Sequence, residues 1–209
     1  MSGRKEHWEK VYREKSPHTV SWYQGVPALS LSLIEKAALP LDAPVIDVGG
    51  GASTLVDNLC ERGYSNVSVL DISAAALAHC RNRLAQKGYQ AHWFEEDVTR
   101  FNAPHRFALW HDRAVFHFLT SKTDRESYVD VLEHSLRPGG QVAMLTFAVG
   151  GPARCSGLDI VQYDADRLGA ELGAHFRLME WGRETHLTPA GKQQDFAWFR
   201  FSYKQEANH

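Results

Sequence analysis

The chain has 209 residues, 44% of them hydrophobic and 23% charged, with a formal net charge of -2. That length suits a single domain spanning residues 1–209 around one core, and the near-neutral balance offers no basic field for nucleic acid or an anionic membrane. The three cysteines, Cys60, Cys80 and Cys155, follow no disulfide or zinc spacing. Reduced thiols and a cytoplasmic location are the expectation. No run approaches the roughly 18 apolar residues of a membrane span, the first residues lack an apolar signal core, and the eleven histidines form no metal motif.

Residues 4–15 are charged but place Trp8, Val11 and Tyr12 at helical spacing, so a short amphipathic helix is expected. Pro17 ends it, an extended aromatic segment Val20–Gln24 follows, and Ala28–Ala38 reads as a helix. Residues 1–40 would then cap the fold, either as packing for the core or as a flap over a bound ligand. From Val45 the pattern alternates: strand Val45–Val48, helix Thr54–Arg62, strand Val67–Leu70, helix Ser73–Lys87, strand Ala91–Glu95 and strand Phe107–Trp110. A helix from Ser121 or Thr123 to Leu136 leads through a turn, Arg137-Pro138-Gly139-Gly140, into strand Gln141–Phe147. Residues 149–209 add a glycine-rich loop to Gly157, a helix capped by Asp164, and strands Phe176–Glu184 and Phe196–Tyr203. The long connection Thr185–Asp195 joins these last two strands. The order predicts an α/β fold: a Rossmann-like three-layer sandwich with a seven-stranded, mostly parallel sheet and an antiparallel C-terminal strand. Right-handed crossovers put every parallel strand's C-terminal end on one rim, where ligands bind.

One stretch governs that rim: Val45-Ile46-Asp47-Val48-Gly49-Gly50-Gly51-Ala52-Ser53. A strand, a glycine turn and a helix N-terminus build a nucleotide-sized crevice. A dinucleotide loop wants a third small residue where Thr54 stands, and Asp47 would oppose a pyrophosphate. An adenosine ligand with a cationic head fits better, and Asp71, at the end of the next apolar run, is spaced to grip ribose hydroxyls. An NAD-dependent oxidoreductase is the disfavoured competitor.

These residues resemble the first motif of the class I S-adenosylmethionine-dependent methyltransferases. The resemblance continues through Leu70-Asp71-Ile72-Ser73, Glu96-Asp97-Val98 and Leu136–Gly140, covering roughly residues 43–148. The flanks His7–Tyr12, Asp112–Leu119 and Gly151–Leu158 look like a bacterial type 12 branch, similar in layout to thiopurine methyltransferases and to some protein-lysine methyltransferases. The resemblance implies S-adenosylmethionine as cofactor, with S-adenosylhomocysteine as product. It puts Asp47 near the methionine amino group and Gly49, Gly50 and Gly51 against the ligand. Asp71 would take the ribose, Ile72 would pack on the adenine, and Asp97 and Val98 would meet its edge. His111 and Asp112 would line the methyl-transfer site, with Trp8, Tyr12 and Trp22 closing over the cofactor.

Methyl transfer from a sulfonium needs alignment and exclusion of water more than it needs a base. The candidate catalytic groups are His111, Asp112, His117 and Cys155, with Arg113, Arg154 and Cys155 facing the acceptor. Each has a plainer reading: His117 as a core histidine, Asp112-Arg113 as a local ion pair, Cys155 as a small buried thiol, His186 as a solvated loop residue. Arg154, next in sequence, would favour a Cys155 thiolate. Three functions follow: transfer to a small-molecule acceptor, transfer to a protein lysine, or non-catalytic binding of S-adenosylmethionine. A monomer or weak homodimer, without membrane or nucleic-acid partner, is expected.

Overall fold

Side-chain alternation along short strands decides which groups meet. The computed structural model describes residues 2–204. In chain order the elements are α1 (Ser2–Glu14), α2 (Ala28–Glu35), β1 (Val45–Val48), α3 (Leu55–Glu61), β2 (Val67–Asp71), α4 (Ala74–Gln86), β3 (His92–Glu95) and β4 (Phe107–Arg113). They continue with a 3-10 turn (Phe116–Phe118), α5 (Lys122–Ser135), β5 (Leu136–Phe147), a small hairpin of β6 (Arg154–Cys155) and β7 (Leu158–Asp159), α6 (Ala165–Leu172), β8 (Phe176–Leu187) and β9 (Gln193–Tyr203). The main sheet runs β3-β2-β1-β4-β5-β9-β8. β1 to β5 are parallel, and β9 enters antiparallel between β5 and β8. The expected α/β architecture is the one observed.

On β1, Ile46 and Val48 join the cluster beneath α5 and α6, which includes Trp110, Phe116, Tyr128, Leu132 and Leu168. Val45 faces the other way, with Leu31, Ile34, Val56, Leu59, Leu77 and Leu109 beneath α2, α3 and α4. The capping signals act as their chemistry requires. Ser73 Oγ accepts from Ala76 N at 3.1 Å, and Asp164 Oδ1 from Arg167 N at 2.9 Å. No helix among the described residues is long and apolar enough to cross a membrane.

Three boundaries differ from expectation. β4 continues through Arg113 because His111, Asp112 and Arg113 pair with Ala143, Met144 and Leu145 of β5. The expected turn Arg137–Gly140 is an irregularity within β5: Leu136 pairs with Phe107, the next paired residue is Gln141, and Gly139 takes φ 73°. The expected long connection Thr185–Asp195 is mostly strand, since β8 and β9 pair out to Leu187 and Gln193.

Candidate functional site

The parallel strand ends, covered by the N-terminal residues, line a cavity of about 100 Å³ that opens to solvent. One half follows β2 and β3: Leu70, Asp71, Ile72, Glu96, Asp97 and Val98, with Val115 and Leu119. The other follows β4, β5 and β9: Arg113, Phe118, Phe147, Cys155, Gln194 and Phe196. Trp8, Tyr12 and Trp22 form the roof. Trp8 meets Trp22 edge to face with centroids 5.8 Å apart, and meets Phe118 at 5.1 Å. A second, smaller cavity of about 40 Å³ runs behind the glycine loop past Ser30, Asp47, Gly49, Gly50, Thr54, His111 and Arg113.

The glycine loop is held by its neighbours' carboxylates. Asp71 Oδ2 accepts from Gly51 N at 3.0 Å and Oδ1 from Ser73 N at 2.8 Å. A Cβ on Gly51 would fall 2.6 Å from that carboxylate, and one on Gly50 would overlap Asp47. The loop is therefore glycine because the backbone lies directly on two acidic side chains. Asp71 is nearly buried, and burial pushes its carboxyl up to about 6. Asp47 Oδ1 lies 2.7 Å from His111 Nδ1, while its buried Oδ2 has no partner. Asp97 accepts from Thr99 N and Oγ1 and pairs with Arg4 at 3.5 Å.

The strand pleat divides the expected catalytic residues. His111 and Arg113 point to the α2 side, and Asp112 to the opposite face. His111 is sealed between Asp47 and Ser30 Oγ, the latter at 2.9 Å, and borders only the second cavity. It positions Asp47 instead of lining the main cavity as expected. Asp112 accepts from Tyr128 Oη (2.6 Å), Val115 N (2.9 Å) and Phe116 N (3.1 Å), and touches neither cavity. It anchors the turn after β4 instead of facing either cavity, where it was expected to line a methyl-transfer site. His117 is fully buried beside Phe147 and Phe118, and burial lowers its imidazole to about 3. It is a neutral core histidine.

The late loop also differs. Arg154 points outward to Asp159 at 3.0 Å and to the Gly157 carbonyl, away from the cavity. Cys155 does line the cavity, but burial pushes its thiol up, and the cation that opposes this is Arg113, not Arg154. A thiolate is not favoured there. His186 lies buried in β8, its Nε2 2.8 Å from the Ser21 carbonyl, and is not a solvated loop residue.

Arg4, Phe118, Phe147, Gln194 and Phe196 line the cavity without having been marked in the sequence. Nothing local signals Phe147, Gln194 and Phe196, because it is sheet order that brings β5 and β9 beside β4. Ala114, at φ 73°, is a non-glycine residue in the left-handed region at the cavity wall. It redirects the chain just after Arg113.

Residues 45–140, just under half of the chain, match a family described as a methyltransferase domain. Mouse (Mus musculus) EEF1A lysine methyltransferase 2 is 30% identical over 95 residues, covering 41% of this chain and 38% of that protein. Zebrafish (Danio rerio) eEF1A lysine and N-terminal methyltransferase is 27% identical over 95 residues, 46% of this chain and 14% of its own length. This chain thus spans under two-fifths of the curated relatives it matches. Among solved structures, Burkholderia thailandensis 1,6-didemethyltoxoflavin-N1-methyltransferase was determined with 1,6-didemethyltoxoflavin and S-adenosylhomocysteine bound. It superposes at a TM-score of 0.75 with 16% identity over 98% of this chain and 88% of that one. A protein solved in work on thioacetal formation in echinomycin biosynthesis reaches 0.80 with 19% identity, over 98% of this chain and 93% of its own. At such identities the likeness is one of fold.

Proposed function

We propose that residues 45–140, which match a methyltransferase-domain family, form a class I S-adenosylmethionine-dependent methyltransferase domain, and that the chain methylates a small-molecule acceptor held in the aromatic half of the roofed cavity. The cofactor suits the residues present. The free Oδ2 of Asp47 matches the ammonium of the methionine head, and Asp71 matches the ribose hydroxyls. Ile72 and Val98 offer apolar surface for the adenine, and Asp97 an acceptor for its amino group. Bound S-adenosylmethionine supplies a methyl group on a sulfonium: the acceptor's lone pair forms the new bond as the C–S bond breaks, and sulfur keeps that electron pair. The roof of Trp8, Tyr12 and Trp22 would shield a bound ligand from water, and aromatic ring faces attract a cation.

One observation carries the small-molecule reading. The acceptor half is walled by Phe118, Phe147 and Phe196 and carries the Arg113 cation, whereas the acidic side chains that line the cavity, Asp71, Glu96 and Asp97, end or follow β2 and β3. A lysine ammonium entering there would meet a like charge. The polar groups lining this half are the Arg113 guanidinium, the Gln194 amide and the protonated Cys155 thiol, none of which takes a proton at neutral pH. An acceptor already nucleophilic without a base fits best. Transfer to a protein lysine remains the second reading, favoured by the sequence relatives. Purified protein incubated with S-adenosylmethionine, pooled aromatic acids, thiols and amines, and separately with a proteome extract, decides between them. We expect S-adenosylhomocysteine and a methylated small molecule. Labelled protein bands alone would overturn the reading.

A further inference from the structure

Arg113 ends β4 at the seam of the two cavities. Its Nη1 donates to the Trp22 carbonyl at 2.9 Å, and its guanidinium lies over the Phe196 ring at 5.2 Å. Its Nε and Nη2 are buried and meet no acceptor. Those two atoms share one edge of the planar group, the edge that grips a carboxylate through two parallel hydrogen bonds. Glu184 and Asp47 attract the guanidinium but form no ion pair with it, and burial pulls it down to about 10, so it remains a cation at neutral pH. A buried cation with one free edge is costly until an anion completes it.

We propose that the acceptor is an aromatic carboxylate. The Nε–Nη2 edge of Arg113 takes its carboxylate, and its ring lies against the stacked pair Phe147–Phe196, whose centroids are 4.6 Å apart. This names the substrate class of the methyl-transfer site and rests on that reading. The carboxylate orients the ring and keeps the nucleophilic substituent, which attacks the methyl group, away from the arginine. Neutral analogues lose both the ion pair and the orientation. Because Arg113 also borders the glycine-loop cavity, the same edge matches one other carboxylate, that of the cofactor's methionine head.

The test separates these sources by calorimetry. Wild type, Arg113→Gln and Arg113→Lys are titrated first with S-adenosylhomocysteine. With that ligand saturating, they are then titrated with 4-mercaptobenzoate and with its methyl ester. Wild type should bind the acid about tenfold or more tighter than the ester. Arg113→Gln should abolish the discrimination, while the loss of its bond to the Trp22 carbonyl lowers S-adenosylhomocysteine affinity by no more than about fivefold. Arg113→Lys, which keeps a charge without the fork, should fall between. Equal binding of acid and ester by wild type overturns the proposal. So does a loss of about tenfold in S-adenosylhomocysteine affinity in Arg113→Gln with the discrimination intact, which would give the edge to the cofactor. Failure of wild type to bind S-adenosylhomocysteine at all sinks the underlying methyltransferase reading instead, and is seen before any acid is added.

Discussion

At the residue scale, Asp71 does two jobs with one carboxylate. It accepts from Gly51 N and Ser73 N, fixing the glycine loop to the start of α4, and it borders the cavity where ribose hydroxyls would lie. Burial raises it to about 6, and a ligand that donates hydroxyls to it favours the ionised form. S-adenosylhomocysteine affinity should therefore be level above that pH and fall by up to about tenfold per pH unit below it. Asp71→Ala should weaken binding about 10- to 100-fold, the worth of a hydrogen bond to a charged group, and flatten this acid limb. Calorimetry from pH 5 to 8 reads both, and unchanged affinity would remove Asp71 from the cofactor site. Alanine also strips an acceptor from two backbone amides, so the variant should melt at a lower temperature.

At the scale of elements, the roof is a strap of irregular chain held at its carbonyls by side chains of the main fold. His186 of β8 reaches the Ser21 carbonyl, Arg113 that of Trp22, and Thr54 that of Gln24 at 2.8 Å. Farther back, α1 is pinned by Arg4 to Asp124 at 2.6 Å and by Lys5 to Glu95 at 2.6 Å. Exposed or half-exposed pairs of this kind contribute little, whereas the part-buried bond from His186 is of the kind worth about 0.5–1.5 kcal/mol. His186→Ala should make the chain between Ser16 and Gly25 more susceptible to limited proteolysis and weaken S-adenosylhomocysteine about 2- to 10-fold. Unchanged cleavage would show that the strap holds without it. These ties explain what was legible in the sequence. Asp47 stands one residue before the end of β1, Asp71 ends β2 and Asp97 follows β3, and strand ends are readable. His111, Asp112 and Arg113 looked equivalent until pairing with β5 extended β4 over them, after which alternation sent one carboxylate into the core. The free edge of Arg113 was not legible, because it depends on a tryptophan carbonyl 91 positions away.

At the scale of the whole molecule, sheet order places two chemistries in one room. The acidic end, beside β2 and β3, and the aromatic end with its cation, beside β4, β5 and β9, share a single cavity beneath the same three aromatic residues. The sequence foretold the sheet and its rim, but not that the last strand, inserted beside β5, would furnish Gln194 and Phe196. A shared room with one roof has a kinetic consequence: traffic is sequential. On the proposed reading, a molecule seated against Phe196 lies beneath the same roof as the larger guest, which is expected to enter first and leave last. Initial-rate measurements should give an ordered pattern, with S-adenosylhomocysteine competitive against S-adenosylmethionine and noncompetitive against the acceptor. Random addition would mean that the strap opens at two places, and turnover would then owe nothing to the way its carbonyls are tied down.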